Sequence, residues 1–390
     1  MKPRYYSLDV FRGATVALMI LVNNPGSWSA MFKPLTHAEW AGCTPTDLVF
    51  PFFLFAVGNA MAFVIPRMQK AGSQVFWRKV LKRTFLIFII GLLLNWFPFV
   101  QWKDGILTFK HWENVRILGV LQRIAFAYFF AAIIAYYFKE KKVLIISFLL
   151  LIVYWLLALL LGGADPYSMQ GFWGTRVDLA ILGESHMYHG EGVPFDPEGF
   201  VGAISSTAQV LLGYLAGKII MAQGEVNWLF VRAPKTSELH YKVLSMLFVS
   251  AGILLVVAYV WQLDFPIIKK IWSSTYVLYT TGLAIITISI MIWFIEVLKA
   301  KNFLTQFFDV FGKNPLFIFV LSGLIPRLLS LVRIPTQDGF TTPLKYIYTT
   351  FCKPLSANEN VGSFVYSVVF LVLMWSIAYL LDRKKIYIKV

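Results

Sequence analysis

"PLTHAEWAGCTPTDLVFPFFLFAVGNAMAF", Pro34 to Phe63, sets a histidine, a tryptophan and an aspartate directly before an apolar run in which only Asn59 is polar from Val49 onward. Thr44 is a natural helix N-cap, Pro45 fits the first helical position, and Asp47 stands where a capping box places its acid. The helix predicted over 44–65 has about 20 mainly apolar residues, enough to cross a hydrocarbon core roughly 30 Å thick. A reactive side chain, His37, therefore stands at the mouth of a membrane span.

Working outward, the same pattern recurs. Hydrophobic residues make up 58% of the 390 residues and charged residues 14%, against the roughly 25% charged fraction of a soluble domain. Ten spans are predicted, at about 7–24, 44–65, 79–99, 115–138, 142–163, 198–221, 241–261, 273–297, 314–332 and 362–382. The runs are continuous and not alternating, which excludes a closed barrel and makes the fold all-α and polytopic. The first run carries Asp9 and Arg12 and has no small-residue cleavage site after it, so it is read as a retained span. No long linker or internal repeat divides the chain, and residues 1–390 are read as one transmembrane domain.

Ten spans put both termini on one side. With the N-terminus in the cytoplasm, Lys and Arg favour the cytoplasmic segments by about two to one, with no reversal along the chain. The net charge of +15 is then an orientation signal with attraction to anionic lipid, the bilayer being the first partner. No folded basic domain stands outside the spans, so no nucleic-acid partner is expected. The outer segment 164–197 carries Asp165, Asp178, Glu184, Glu191 and Asp196, an acidic face suited to a cationic or polyhydroxyl visitor. "FDPEGF" repeats the cap logic with Asp196 and Pro197, and "GKNPLFIF" with Asn314 and Pro315, which makes 303–311 a short interfacial segment. "GYLAG", Gly213 to Gly217, is a small-residue pattern that lets helices approach closely, within one chain or in a homodimer.

Ionisable groups inside a bilayer pose a functional question. Arg12 lies about one turn into the first span with Asp9 three residues earlier, either an internal pair or a cation facing phosphates. Arg116 and Arg123 lie seven residues apart on one face of the fourth predicted span, with Gln122 beside them, as an anion or carbonyl site or a structural pair. "HMYH", His186 to His189, matches no dependable ligand spacing, and no metal is expected. Cys43 and Cys352 both fall on the outer side, where one disulfide is open to them. His37, flanked by Trp40 and brought near Asn23 and Asn24, has the type and setting of a general base or an acyl acceptor, and Asp47 of an orienting carboxylate, a cap, or both.

Taken together, "RYYSLDVFRG", "ILVNN", "HAEWAGCTPTDLVFPFFLF", "VRILGVLQRIAFAY", "FDPEGFVGAISST", "GYLAGKII", "KKIWSSTYVLYTTG", "GKNPLFIFVLSG" and "YLLDRKKIYIKV" resemble, in order along nearly the whole chain, the heparan-alpha-glucosaminide N-acetyltransferase family. The resemblance implies transfer of acetyl from cytosolic acetyl-CoA, as co-substrate, to an amine on the far side of the membrane. It implies His37, Asp47 and Asn23 as catalytic residues and Gln122 and Arg123 along the acetyl-CoA path, with Arg12, Lys384 and Lys385 for phosphates or pantetheine carbonyls. Trp40, Asp196 and Glu198 are the expected acceptor contacts. The outer loop before "FDPEGF" differs from that of the lysosomal member, which moves the expected acceptor from heparan to glucosamine or a related amino sugar. The expected setting is a bacterial inner membrane with His37 on the periplasmic side. An amino-sugar transporter and an acyltransferase with a hydroxyl acceptor are the alternative readings.

Overall fold

The computed structural model describes residues 5–221, 238–337 and 339–388. Lys2, Arg4, Arg232, Lys235 and Lys389, which entered the charge count, lie outside the described residues. The helices are α1 (Tyr6–Asn23), α2 (Val49–Ala71), α3 (Ser73–Trp96), α4 (Val120–Tyr137), α5 (Glu140–Leu161), α6 (Trp173–Leu182), α7 (Gly202–Met221), α8 (Glu238–Trp261), α9 (Ser274–Ile292), α10 (Phe303–Lys313), α11 (Pro315–Leu329), α12 (Pro343–Ile347) and α13 (Glu359–Arg383).

Among the described residues, eight helices are long and apolar enough to cross a membrane, or nine if α10 and α11, bent by 82°, count as one broken span. Two of the ten predicted spans fall on helices outside those eight. The third predicted span falls on α3, whose first half carries Arg78, Lys79, Lys82 and Arg83 and is too cationic for the apolar class. The ninth falls on α11, which with 15 residues is too short to cross alone. The break itself comes at Asn314–Pro315, where the sequence placed it. Two further boundaries move: α4 begins at Val120, so Arg116 precedes the helix, and α7 begins at Gly202, so 198–201 is a turn.

The bundle is built around α7, whose side chains are buried on nearly every face. It crosses α2 at backbone contact: a methyl group on Gly58 would lie 2.0 Å from the Val210 carbonyl oxygen, and one on Gly213 would lie 2.4 Å from that of Phe55. The small-residue pattern of "GYLAG" is thus accounted for within the chain. At the periphery, α5 exposes Ile145, Leu149, Ile152 and Leu156, and α8 exposes Val249, Ile253, Val256 and Val260. Both rows run at i, i+4, i+7, i+11, an apolar helical stripe turned outward as lipid requires.

Two small antiparallel hairpins interrupt the helices, β1 (Val100–Lys103) with β2 (Ile106–Phe109) and β3 (Ile334–Thr336) with β4 (Gly339–Thr341). Over one end of the bundle, residues 162–201 and 262–273 form a cap whose core is Tyr154, Phe172, Phe195, Phe265 and Ile268, with Trp40 packed against it.

Candidate active site

Thr44 to Asp47 closes as the sequence predicts: Thr44 and Asp47 form a capping box ahead of a 3-10 turn, Pro45–Leu48, that runs into α2. The Asp47 carboxylate divides its work between its oxygens. Oδ2 accepts from the Thr44 and Ala38 backbone N–H groups and the Thr44 hydroxyl, each at 3.0 Å. Oδ1 lies 2.7 Å from His37 Nδ1 and 3.1 Å from Lys269 Nζ. One side chain therefore caps the helix and holds the imidazole, because the loop from Thr36 to Thr44 folds back over the capped turn.

Lys269 enters this site from 232 residues away, with its Nζ 2.9 Å from His37 Nδ1. Its segment is pinned at both ends. Gly42 N–H donates to the Ile267 carbonyl (2.8 Å), Ser273 Oγ accepts from Ile268 N–H (3.0 Å), and Trp272 Nε1 donates to Gln209 Oε1 (3.1 Å). Trp272 sits at φ +54°, a costly conformation for a bulky side chain that persists only where its surroundings over-determine it. Burial lowers the Lys269 pKa, with Asp47 and Glu198 working against that shift. Burial also pushes the neighbouring Cys43 thiol up to about 12, helped by Asp47 and opposed by Lys269. Cys43 is thereby held as an unreactive thiol, and both it and Cys352 are unpaired by any disulfide.

With both contacts of the His37 ring on Nδ1, Nε2 is left for a reactant. His37 is exposed into a cavity of about 150 Å3 that it shares with Asn23, Glu198, Lys269 and the apolar Phe50 and Phe53. A second cavity of about 80 Å3 shares Phe53 and Ile124 with the first and adds Arg12 and Arg83. A third of about 610 Å3 shares Arg12, Ala56 and Ala60 with the second and opens beside Arg67 and Lys70, with Asp9 as its acid. The file of cavities follows one face of α2, through Val49, Phe53, Ala56, Ala60, Phe63 and Arg67, about 27 Å at 1.5 Å per residue.

The predicted site residues divide. His37, Asn23 and Glu198 share one cavity, Asp47 stands directly behind the ring, and Arg12 lines the other two cavities. Gln122 and Arg123 do not line these cavities; Leu121 and Ile124 do. Gln122 instead donates to the Ile117 carbonyl (2.8 Å), and fully buried Arg123 donates to the Gly199 carbonyl (2.9 Å) and lies over Trp272. Asp196 is fully buried, accepting both arms of Arg116 and the Glu198 N–H, so it braces Glu198 and meets no acceptor. Burial opposes the charge on Arg116, but Glu198 and Asp196 outweigh it and raise its pKa. Trp40 donates to the Tyr167 carbonyl (2.9 Å) in the cap, beside Lys270. Lys384 and Lys385 follow α13 and line none of the three cavities; the tail beyond them is tied to Asn314. His186 Nδ1 donates to the Val115 carbonyl (2.7 Å), and among the described residues no cluster of three or more His, Cys, Asp or Glu is placed to hold a metal.

Sequence reasoning missed Lys269 and Arg83. Both were counted only as topology charges, and no local pattern separates Lys269 from Lys270.

Residues 4–246 match the family model described as heparan-alpha-glucosaminide N-acetyltransferase, catalytic. The human heparan-alpha-glucosaminide N-acetyltransferase is 26% identical over 441 aligned positions, which take in all of this chain and 60% of the human protein. The mouse protein of the same name is 26% identical over 267 positions, 56% of this chain and 39% of its own length. The chain thus spans about three-fifths or less of the curated relatives it matches. The family match covers the His37–Asp47 pair, Arg12 and all of α2, and on that ground the chain belongs to the heparan-alpha-glucosaminide N-acetyltransferase catalytic family.

Proposed function

We propose that this protein transfers acetyl from cytosolic acetyl-CoA to the amine of glucosamine or a related amino sugar across a bacterial inner membrane. Both termini lie in the cytoplasm and His37 faces the periplasm. The observation that carries this reading is the file of cavities from Arg67 and Lys70 to His37. The wide end, with Arg12, Arg67 and Lys70, suits a polyanionic nucleotide. The narrow middle suits only a slender chain such as pantetheine. When bound, acetyl-CoA supplies an acyl carbon activated as a thioester.

The remaining work falls to the chain. Arg12, Arg67 and Lys70 hold phosphates, and Arg83 meets polar atoms of the arm. Glu198, braced by Arg116, receives the ammonium group of the acceptor. His37 Nε2 takes the proton that makes the nitrogen a nucleophile, and Asp47 fixes the ring. Asn23 donates toward the oxygen on which negative charge develops, a role worth roughly 3 kcal/mol in other enzymes. Acetyl carried briefly on His37 is the second route, and ping-pong kinetics would reveal it.

Proteoliposomes loaded with labelled acetyl-CoA and bathed in glucosamine test the reading. Labelled N-acetylglucosamine outside is the expected product. Uptake of unmodified sugar with no transfer would replace this reading with a carrier.

A further inference from the structure

The contact between Lys269 Nζ and His37 Nδ1, at 2.9 Å, admits one proton between two nitrogens. If Lys269 is an ammonium that donates to Nδ1, Nδ1 is bare, its 2.7 Å contact with Asp47 Oδ1 carries no proton, and Asp47 is held by the ammonium instead. A neutral ring then carries its proton on Nε2, which cannot act as a base. If Lys269 is a free amine, Nδ1 carries the proton and donates to Asp47 Oδ1 or to the amine, and Nε2 is bare. The charge on Lys269 and the tautomer of His37 are therefore one variable.

Resting on the acetyl-transfer reading, we propose that Lys269 and His37 form a single proton-transfer unit, in which Lys269 as a free amine receives from Nδ1 the proton that Nε2 takes from the acceptor nitrogen. The bonds balance. The acceptor N–H breaks as Nε2–H forms, and Nδ1–H breaks as Nζ–H forms. The new ammonium stands 3.1 Å from Asp47 Oδ1, so positive charge comes to rest beside a carboxylate and not on the exposed ring. The groups facing the unit are Asp47 from the turn that precedes α2, Cys43 behind it, and Glu198 from the 196–200 turn, itself paired with Arg116. Burial of Lys269 favours the amine form that the cycle needs. Trp272 N–H donates to the Lys269 carbonyl (2.9 Å), closing the turn that carries Lys269.

The test uses the full-length protein in micelles, its histidines labelled with 15N and the His37 signals assigned by loss in His37→Ala. Ring nitrogen shifts report the tautomer directly, without acetyl-CoA. In the parent, His37 should pass from Nε2–H to Nδ1–H as pH rises and Lys269 loses its proton. Lys269→Arg, whose side chain does not deprotonate, should stay Nε2–H throughout the range in which the ring is neutral. Lys269→Met should stay Nδ1–H while the ring is neutral. In the acetyl-transfer assay Lys269→Arg should then be slower than Lys269→Met, by on the order of tenfold or more, and the parent's rise in rate above neutral pH should be absent from Lys269→Met.

An ion pair that only braces Asp47 predicts the reverse order, with arginine rescuing and methionine not. That order, or a parent tautomer that does not change with pH, overturns the proposal. Should Lys269→Arg fail to fold, the parent and Lys269→Met tautomer curves decide alone. If the tautomers behave as stated but the parent transfers no acetyl group, it is the acetyl-transfer reading that fails.

Discussion

The Tyr276 hydroxyl donates to the main-chain carbonyl of Asp47 at 2.5 Å, joining α9 to the turn that carries the orienting carboxylate. Both partners are fully buried, so the bond has no water to replace it. Tyr276→Phe should leave that carbonyl unsatisfied and cost about 1–3 kcal/mol. Thermal unfolding in micelles should show the loss, and kcat should fall more than KM because the His37 ring is loosened and no binding wall is touched.

Asp47→Asn tests the division between its two oxygens. An amide has one acceptor oxygen where the site needs two, so it must fail either the loop donors Ala38 and Thr44 or the pair His37 and Lys269. Activity should drop by about two to four orders of magnitude, the scale set by loss of an orienting aspartate elsewhere. A variant within tenfold of the parent would remove Asp47 from the mechanism.

Ala60 lies in the shared wall of the narrow and wide cavities. Ala60→Phe adds a ring to a space of about 80 Å3. KM for acetyl-CoA should rise at least tenfold, a loss of about 1.4 kcal/mol of binding, while KM for the sugar is unchanged. Equal effects on both substrates would mean that the donor does not travel along this face of α2.

Asp178 sits in the cap, buried beside Asp196, and accepts from Phe200 N–H at 2.9 Å. Burial pushes its pKa up to about 7; the Phe200 bond and Arg123 oppose the rise and Asp196 adds to it. Between pH of about 4 and 7 the folded protein holds a proton here that the unfolded chain has released. The stability contributed by Asp178 is therefore complete below that window and is lost as pH rises through it. Asp178→Asn should flatten this part of the stability curve. A parent protein whose melting temperature climbs steadily from pH 4 to 7, with the variant unchanged, would contradict the assignment.

Much of this arrangement was legible from residues near one another in sequence. Thr44, Pro45 and Asp47 announced their turn because a capping box is local, and the spans announced themselves because lipid tolerates little but apolar side chains. The length of the bundle was harder. α3 begins at Ser73, six residues before the predicted span, and α11 is kept short by the break at Asn314–Pro315 that separates it from α10. The first hairpin was overlooked although Asp104–Gly105, both at positive φ, is the standard signal for a two-residue turn. The resemblance implies Gln122 and Arg123 on the donor path, yet a helix has several faces and theirs meets backbone carbonyls. Lys269 had no local signature, since its meaning lies in a contact with a loop 232 residues away.

The narrow cavity has one more consequence, for the membrane that holds the protein. The cavity holds about 80 Å3, its walls are mainly apolar, and Arg83 stands in it as a cation beside Arg12, whose partner is Asp9. A hydrated sodium or hydronium ion meets both a dehydration cost and an opposing charge there. On the proposed acetyl-transfer reading the protein insulates while it works, and a host that stores energy as an ion gradient can keep it without leaking that gradient away.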